Sequence, residues 1–143
     1  MTTFVSDVAK VLKADTKLMN MLPANKPYSG DGAAARKYSI IPAGNASGKT
    51  VTPFITLQAG SRNAVDENAV NELIYIRVYD KEQYGVAHIA KILDRVKTLL
   101  HNKPLALDRG IEVKIKYEGG LAELRDDSVQ AHFVEDQYRL LSL

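Results

Sequence analysis

Between Thr3 and Leu22 the apolar residues Phe4, Val8, Val11 and Leu12 recur at helical spacing while Asp7, Lys10 and Lys13 fall on other faces, which predicts an amphipathic helix. Asp15 stands where it caps a second short turn carrying Leu18, Met21 and Leu22, and Pro23 closes it. The rhythm then changes. "PFITLQA", Pro53 to Ala59, is rich in β-favouring residues, with the proline at its start where a missing N–H does least harm. In "ELIYIRVYD", Glu72 to Asp80, alternation puts Ile74, Ile76 and Val78 on one face and Leu73, Tyr75, Arg77 and Tyr79 on the other. Asp80 with Gln83 is a capping-box variant ahead of a stripe of Val86, Ile89, Ala90, Leu93, Val96 and Leu100, the strongest helix pattern in the chain, stopped by Asn102-Lys103-Pro104. "GIEVKIKYEGG" sets Ile111, Val113, Ile115 and Tyr117 against Glu112, Lys114, Lys116 and Glu118, one side dry and one wet. "LAELRDDSVQ" reads as a turn-rich bridge to a last strand in "AHFVEDQYRLLSL", carried by Phe133, Val134, Tyr138 and Leu140.

The element order α, β, β, α, β, β, with a weaker strand near Tyr38, predicts an α/β (α+β) fold. Its mainly antiparallel sheet of four to five strands would carry one long helix and an N-terminal helix packed on it. Only the pair around the long helix has a connection suited to a parallel crossover. Ala24 to Thr52 departs from the pattern: Gly, Ala, Ser, Asn, Pro and Lys dominate, broken only by "YSII". A loop of this length is uncommon in a small domain unless it carries function, so 24–52 is a candidate interaction arm.

With 143 residues, 45% apolar and 25% charged, the composition fits one folding domain spanning 1–143 rather than a disordered chain. Nineteen basic against seventeen acidic residues leave a formal +2, so no charge excess advertises nucleic acid, an anionic membrane or an acidic substrate. The lack of cysteine removes disulfides, thiolate metal sites and cysteine nucleophiles, and fits folding inside a cell. The opening "MTTFVSDVAKVLKADTK" interrupts every apolar run with charge, so neither a signal peptide nor a membrane span is expected and the chain reads as soluble.

One stretch raises a question of chemistry. "AGNASGKT", Ala43 to Thr50, fits the loosest phosphate-loop pattern, but a working loop needs a helix starting at its Lys-Thr, whose N–H groups and dipole hold the phosphates. Here Val51, Thr52, Pro53 and a β-rich run follow, so a nucleotide-binding enzyme using Lys49 ranks below a plain flexible loop. His88, His101 and His132 show no metal-ligand spacing, and His101 sits where a helix dipole favours a cation. Asp126 and Asp127, with Glu123 nearby, read as turn caps before they read as a metal site, and no serine stands in a nucleophile elbow. No catalytic residue, cofactor or metal is assigned.

Two features remain. The strand face Leu73, Tyr75, Arg77 and Tyr79 has side chains enriched at protein interfaces, although a second covered core face would read the same way. Lys26, Arg36, Lys37, Lys49 and Arg62 scatter through flexible segments; a symmetric ring gathering such loops around one axis would multiply their field, while plain solvation is the simpler reading.

The opening helix ending in "LKADTKLMNML", the strand "PFITLQ", the pair "ELIYIRVYD" and "GVAHIAKILDRVKTLL", and the ending "VKIKYEGGLAELRDDSVQAHFVEDQYRLLSL" together resemble the tail completion, or tail terminator, family of tailed bacteriophages. The resemblance covers the first twenty-odd residues and most of the chain after Pro53; the loop 24–52 is longer and richer in Gly and Ala than that family's connection. It implies a virion component without catalysis: a homo-oligomer, in a hexameric ring, that caps the tail tube protein and offers a surface to head-tail connector proteins. DNA would pass through the lumen without sequence-specific binding. It implies a place in the tail or neck of the virion, assembly in the host cytoplasm, and no membrane. Leu73, Tyr75, Arg77 and Tyr79 become candidates for a subunit or tube interface, and Arg36, Lys37, Lys49 and Arg62 for lumen or partner-facing loops. A head completion or stopper protein of the phage neck is the nearest alternative.

Overall fold

The computed structural model describes residues 4–25, 35–62, 71–81, 85–107, 110–121 and 123–142. Helix α1 (Phe4–Lys13) buries Asp7, Val8 and Leu12, and α2 (Thr16–Met19) follows at once. Asp15 caps α2 as its spacing predicts, its carboxylate accepting the Leu18 N–H at 2.8 Å. The same carboxylate takes two further bonds, of 2.7 and 2.9 Å, from the Arg95 guanidinium, so the cap also ties the N-terminal helices to the long one. That bond to Arg95 holds the Asp15 carboxyl below the usual carboxylate range.

After a 3₁₀ turn (Arg36–Ser39) come β1 (Ile40–Pro42), β2 (Phe54–Arg62), β3 (Asn71–Asp80), the long helix α3 (Gly85–Leu100), β4 (Pro104–Ala106), β5 (Glu112–Gly120), β6 (Leu124–Asp126) and β7 (Ala131–Ser142). Among the described residues they form one sheet in the order β1-β2-β3-β7-β5-β4, with β6 also on β7. The α+β class and the mainly antiparallel pairing are as expected. The strand count reaches seven because β1, β4 and β6 are three-residue strands held by their neighbours. Among the described residues the one parallel pair is β1 with β2, Ile40 opposite Ile55, and not the pair around the long helix. The weaker strand begins just past Tyr38, which itself belongs to the 3₁₀ turn.

The bridge "LAELRDDSVQ" is partly strand. Both β5 and β6 run antiparallel to β7, Gly120 opposite Asp136 and then Leu124 opposite Phe133, so the two make one interrupted arm of a long hairpin with its tip at 127–130. Leu121 bridges the interruption by donating its N–H to the Glu135 carbonyl at 2.8 Å. Only glycine fits at 120, because a Cβ there would stand 2.4 Å from Asp136 Oδ1 and 2.8 Å from the Glu135 carbonyl oxygen.

Ile74, Ile76 and Val78 lie under the helices, packed with Ile89, Ile92, Val96 and Leu100 of α3, Val8 and Leu12 of α1, and Ile115, Tyr138 and Leu140 of the sheet. The helix stripe is narrower than its sequence pattern: Ile92 is fully buried, whereas Val86 is 42% exposed and Ala90 faces solvent, since the contact surface follows the 89–92–96–100 line. Asp80 is buried, with Oδ2 on His88 Nδ1 and Oδ1 accepting the Lys81 N–H; its expected capping partner Gln83 lies outside the described residues. At the other end of α3, His101 Nδ1 accepts the Tyr117 N–H at 3.0 Å. This bond joins the end of the helix to strand β5 and gives His101 a structural role. No helix among the described residues is long and apolar enough to cross a membrane.

Candidate functional site

The face of the sheet turned away from the helices gathers residues in rows set by the register. Phe54, Tyr79 and Phe133 make one row, Thr56, Arg77 and Glu135 the next, Gln58, Tyr75 and Gln137 the third. In the first, Phe54 and Tyr79 stack with centroids 4.7 Å apart and Tyr79 meets Phe133 at 5.1 Å. Val129 of the hairpin tip and Ala131 complete a small second core, with Ile41 and Ala46 packed against it. In the second row Arg77 Nε donates to Glu135 Oε1 at 2.8 Å and the guanidinium lies 4.4 Å from the Phe133 ring centre. Further along, Arg139 reaches Glu118 and Asn71. Leu73, Tyr75, Arg77 and Tyr79 thus share one face, as their alternation requires; the first three are half-buried, while Tyr79, at 4% exposure, is absorbed into the second core.

The basic loop residues separate into two places. Arg36, Lys37 and Lys49 come together with Lys13 around two adjoining depressions beside β1, of about 890 and 430 Å³. The Arg62 backbone instead pairs with Glu72 at the far end of β2, five residues and roughly 16 Å beyond Leu57, where β1 ends. Lys26 lies outside the described residues. Nothing in the sequence marked Lys13, which reads as one more wet position on α1; only the parallel β1–β2 pairing brings its neighbours in. The wall of the larger depression is fixed by buried Asn25. Its amide donates to Ser39 Oγ at 2.8 Å and to the Val51 carbonyl at 2.9 Å, and its oxygen accepts the Val51 N–H at 2.8 Å.

The phosphate-loop pattern lacks its architecture. Around Lys49 the backbone closes on itself: Ser47 N–H to Thr50 Oγ1 at 3.0 Å, Lys49 N–H to Ser47 Oγ at 3.2 Å, Thr50 N–H to the Ser47 carbonyl at 3.0 Å. These donors are engaged within the turn, and strand β2, not a helix, comes next. Asp126 is a turn cap, accepting both the N–H and the hydroxyl of Ser128, and Asp127 holds Arg125 at 2.8 Å. Among the described residues no three of His, Asp and Glu gather into a group able to hold a metal.

One polar cluster lies under α3. Asp136 faces Tyr117 and Tyr138, and burial pushes its carboxyl up to about 6, against the pull of Lys97 and with help from Asp94. Burial raises the Tyr138 phenol as well, and its hydroxyl has no hydrogen-bond partner among the described residues. Lys97 Nζ stands 4.1 Å from the centre of the Tyr117 ring.

No family model matches the chain, and no curated protein matches it. Its fold is similar to that of a solved chain described as "Virion of native gene transfer agent (GTA) particle", with a TM-score of 0.64 and 14% identity over 96% of this chain and 92% of that one. A second solved chain, carrying no functional description, aligns with a TM-score of 0.57 and 13% identity over 98% of this chain and 90% of its own length.

Proposed function

We propose that the chain is a structural subunit of a phage-like particle, acting by assembly and without turnover. More finely, it is a tail terminator: copies close into a ring, hexameric in the family it resembles, that caps the tail tube and joins it to the head while DNA passes through the opening. The observation that carries this reading is the alignment with the gene transfer agent virion chain along nearly the full length of both. The open sheet face supports it, because Leu73, Tyr75 and Arg77 leave a half-buried amphipathic surface opposite the helices, suited to a second copy or the tube. The basic loops at Arg36, Lys37 and Lys49, and the strand end at Arg62, are the partner-facing or lumen-facing parts. Removing the chain from a producing strain tests the reading. Unjoined heads beside tails of irregular length are expected, whereas intact, transfer-competent particles would overturn it. Tails of normal finish beside heads that leak DNA would move the assignment to a stopper on the head side.

A further inference from the structure

Five large apolar residues are exposed among those described: Tyr38, Val51, Val86, Leu121 and Leu124. Four of them form two pairs at opposite ends of the sheet. Tyr38, 41% exposed, belongs to the 3₁₀ turn that leads into β1, and Val51, 51% exposed, is held beside it by the Asn25 amide; both line the larger basic depression. Leu121 and Leu124, 46% and 48% exposed, lie on the interrupted β5–β6 arm of the hairpin. Between β1 and β6 stand β2, β3 and β7, so the pairs are separated by roughly 19 Å across the sheet. All four stay exposed, so the pairs do not cover one another within one chain, although the hairpin tip reaches back over the sheet, where Ile41 and Ala46 pack against the second core that holds Val129.

The two ends also differ in charge. The depressions beside β1 are lined by Lys13, Arg36, Lys37 and Lys49 and by no carboxylate. The hairpin arm from Glu118 to Asp127 carries Glu118, Glu123, Asp126 and Asp127; Arg139 holds Glu118, Arg125 holds Asp127 and His132 meets Glu123, which leaves a formal excess of two negative charges with His132 neutral. Each end is a strand border: β1 pairs only with β2, and β6 only with β7, among the described residues. An exposed strand border with apolar side chains favours pairing with another chain.

We infer that the acidic hairpin arm of one copy, with Leu121 and Leu124, seats in the basic depression beside β1 of the next, against Tyr38 and Val51. This rests on the ring reading above and gives it a seam. Because the two surfaces are different and complementary, the contact is head-to-tail, the kind that closes into a ring when the rotation per subunit allows. Charge sets which end meets which and gives the seam its salt sensitivity. In this arrangement Lys37 and Lys49 act between copies.

The test uses two double variants of the full chain, Lys37→Glu with Lys49→Glu and Glu123→Lys with Asp127→Lys, all at exposed positions. Self-association is followed by sedimentation and negative-stain imaging over a range of salt, and melting temperature checks that each variant folds. Each variant alone is expected to lose annuli at concentrations where the parent forms them, because the first leaves its depression with two cations against two carboxylates and the second turns its hairpin arm from net acidic to net basic. Mixing the two is expected to give dimers, since the unchanged hairpin of the first variant meets the unchanged depression of the second, while the reverse pairing has no opposed charge. Parent-like annuli from both variants alone, or a mixture of folded variants that stays monomeric, would overturn the seam and leave the ring standing. A parent with no self-association at any concentration or salt, and no annulus in purified particles, would overturn the ring itself.

Discussion

The two faces of the sheet use alternate residues of the same strands and answer to different demands. Under the helices, Ile74, Ile76 and Val78 are fully buried among aliphatic side chains, as expected of a surface whose work is finished on folding. On the opposite side Arg77, Glu135, Arg139 and Glu118 are neutralised in pairs across neighbouring strands, beside half-buried Leu73 and Tyr75. Charges already paired within the chain cost less to cover than unpaired ones, so the second face can accept contact with another surface. The difference teaches that alternation reports which side chains share a face, while only the neighbours reveal whether that face is closed.

The contrast can be broken most forcefully on the covered side. Ile76→Ala should cost about 2–5 kcal/mol in urea unfolding, because the site is fully enclosed, whereas Tyr75→Ala, one residue away on the other face, should stay within about 1 kcal/mol and weaken self-association instead. Arg77→Ala should cost about 2 kcal/mol, since Glu135, its side chain only 5% exposed, loses its bonded partner; the double change with Glu135→Ala should cost less than the sum of the singles.

Asp136→Asn is expected to stabilise. The folded-state carboxyl, up to about 6, lies above its ordinary 3.8, so the folded chain holds that proton more tightly and stability falls as pH rises from about 4 to 6. Melting scans should show the asparagine variant gaining on the order of 1–3 kcal/mol at neutral pH and losing this part of the pH dependence. Asp15→Ala should cost about 1 kcal/mol at pH 7 through the lost cap. Its sign with pH is opposite: the Asp15 carboxyl is lowered, so its contribution is present above the ordinary carboxylate range and is lost as pH falls through the folded-state value. The smallest effect is expected at Lys49→Ala, with melting unchanged in the presence or absence of Mg-ATP, because no helix follows the loop to hold phosphates.

The long elements were legible because their periodicity is local. Strict alternation in "ELIYIRVYD" and "GIEVKIKYEGG" and the capping position of Asp15 need no knowledge of the rest of the chain. What escaped depends on pairing at a distance. β6 is three residues, Leu-Arg-Asp, in a polar setting, and becomes strand only because β7 offers it a border. β1 joins β2 in parallel across a loop whose composition signals nothing but turns. The strand face of Leu73, Tyr75, Arg77 and Tyr79 was readable as a face, but the burial of Tyr79 was not, since Phe54 and Val129 reach it from distant segments. Lys13 stayed hidden for the same reason, and so did the opposed charges of the two sheet ends.

The most direct test of the account is electron cryo-microscopy of purified particles from a producing strain, with the chain located by a specific label. A closed ring is expected at the joint between head and tail, with copies of this fold fitted around the tail axis. Complete particles that contain no copy of the chain would contradict it.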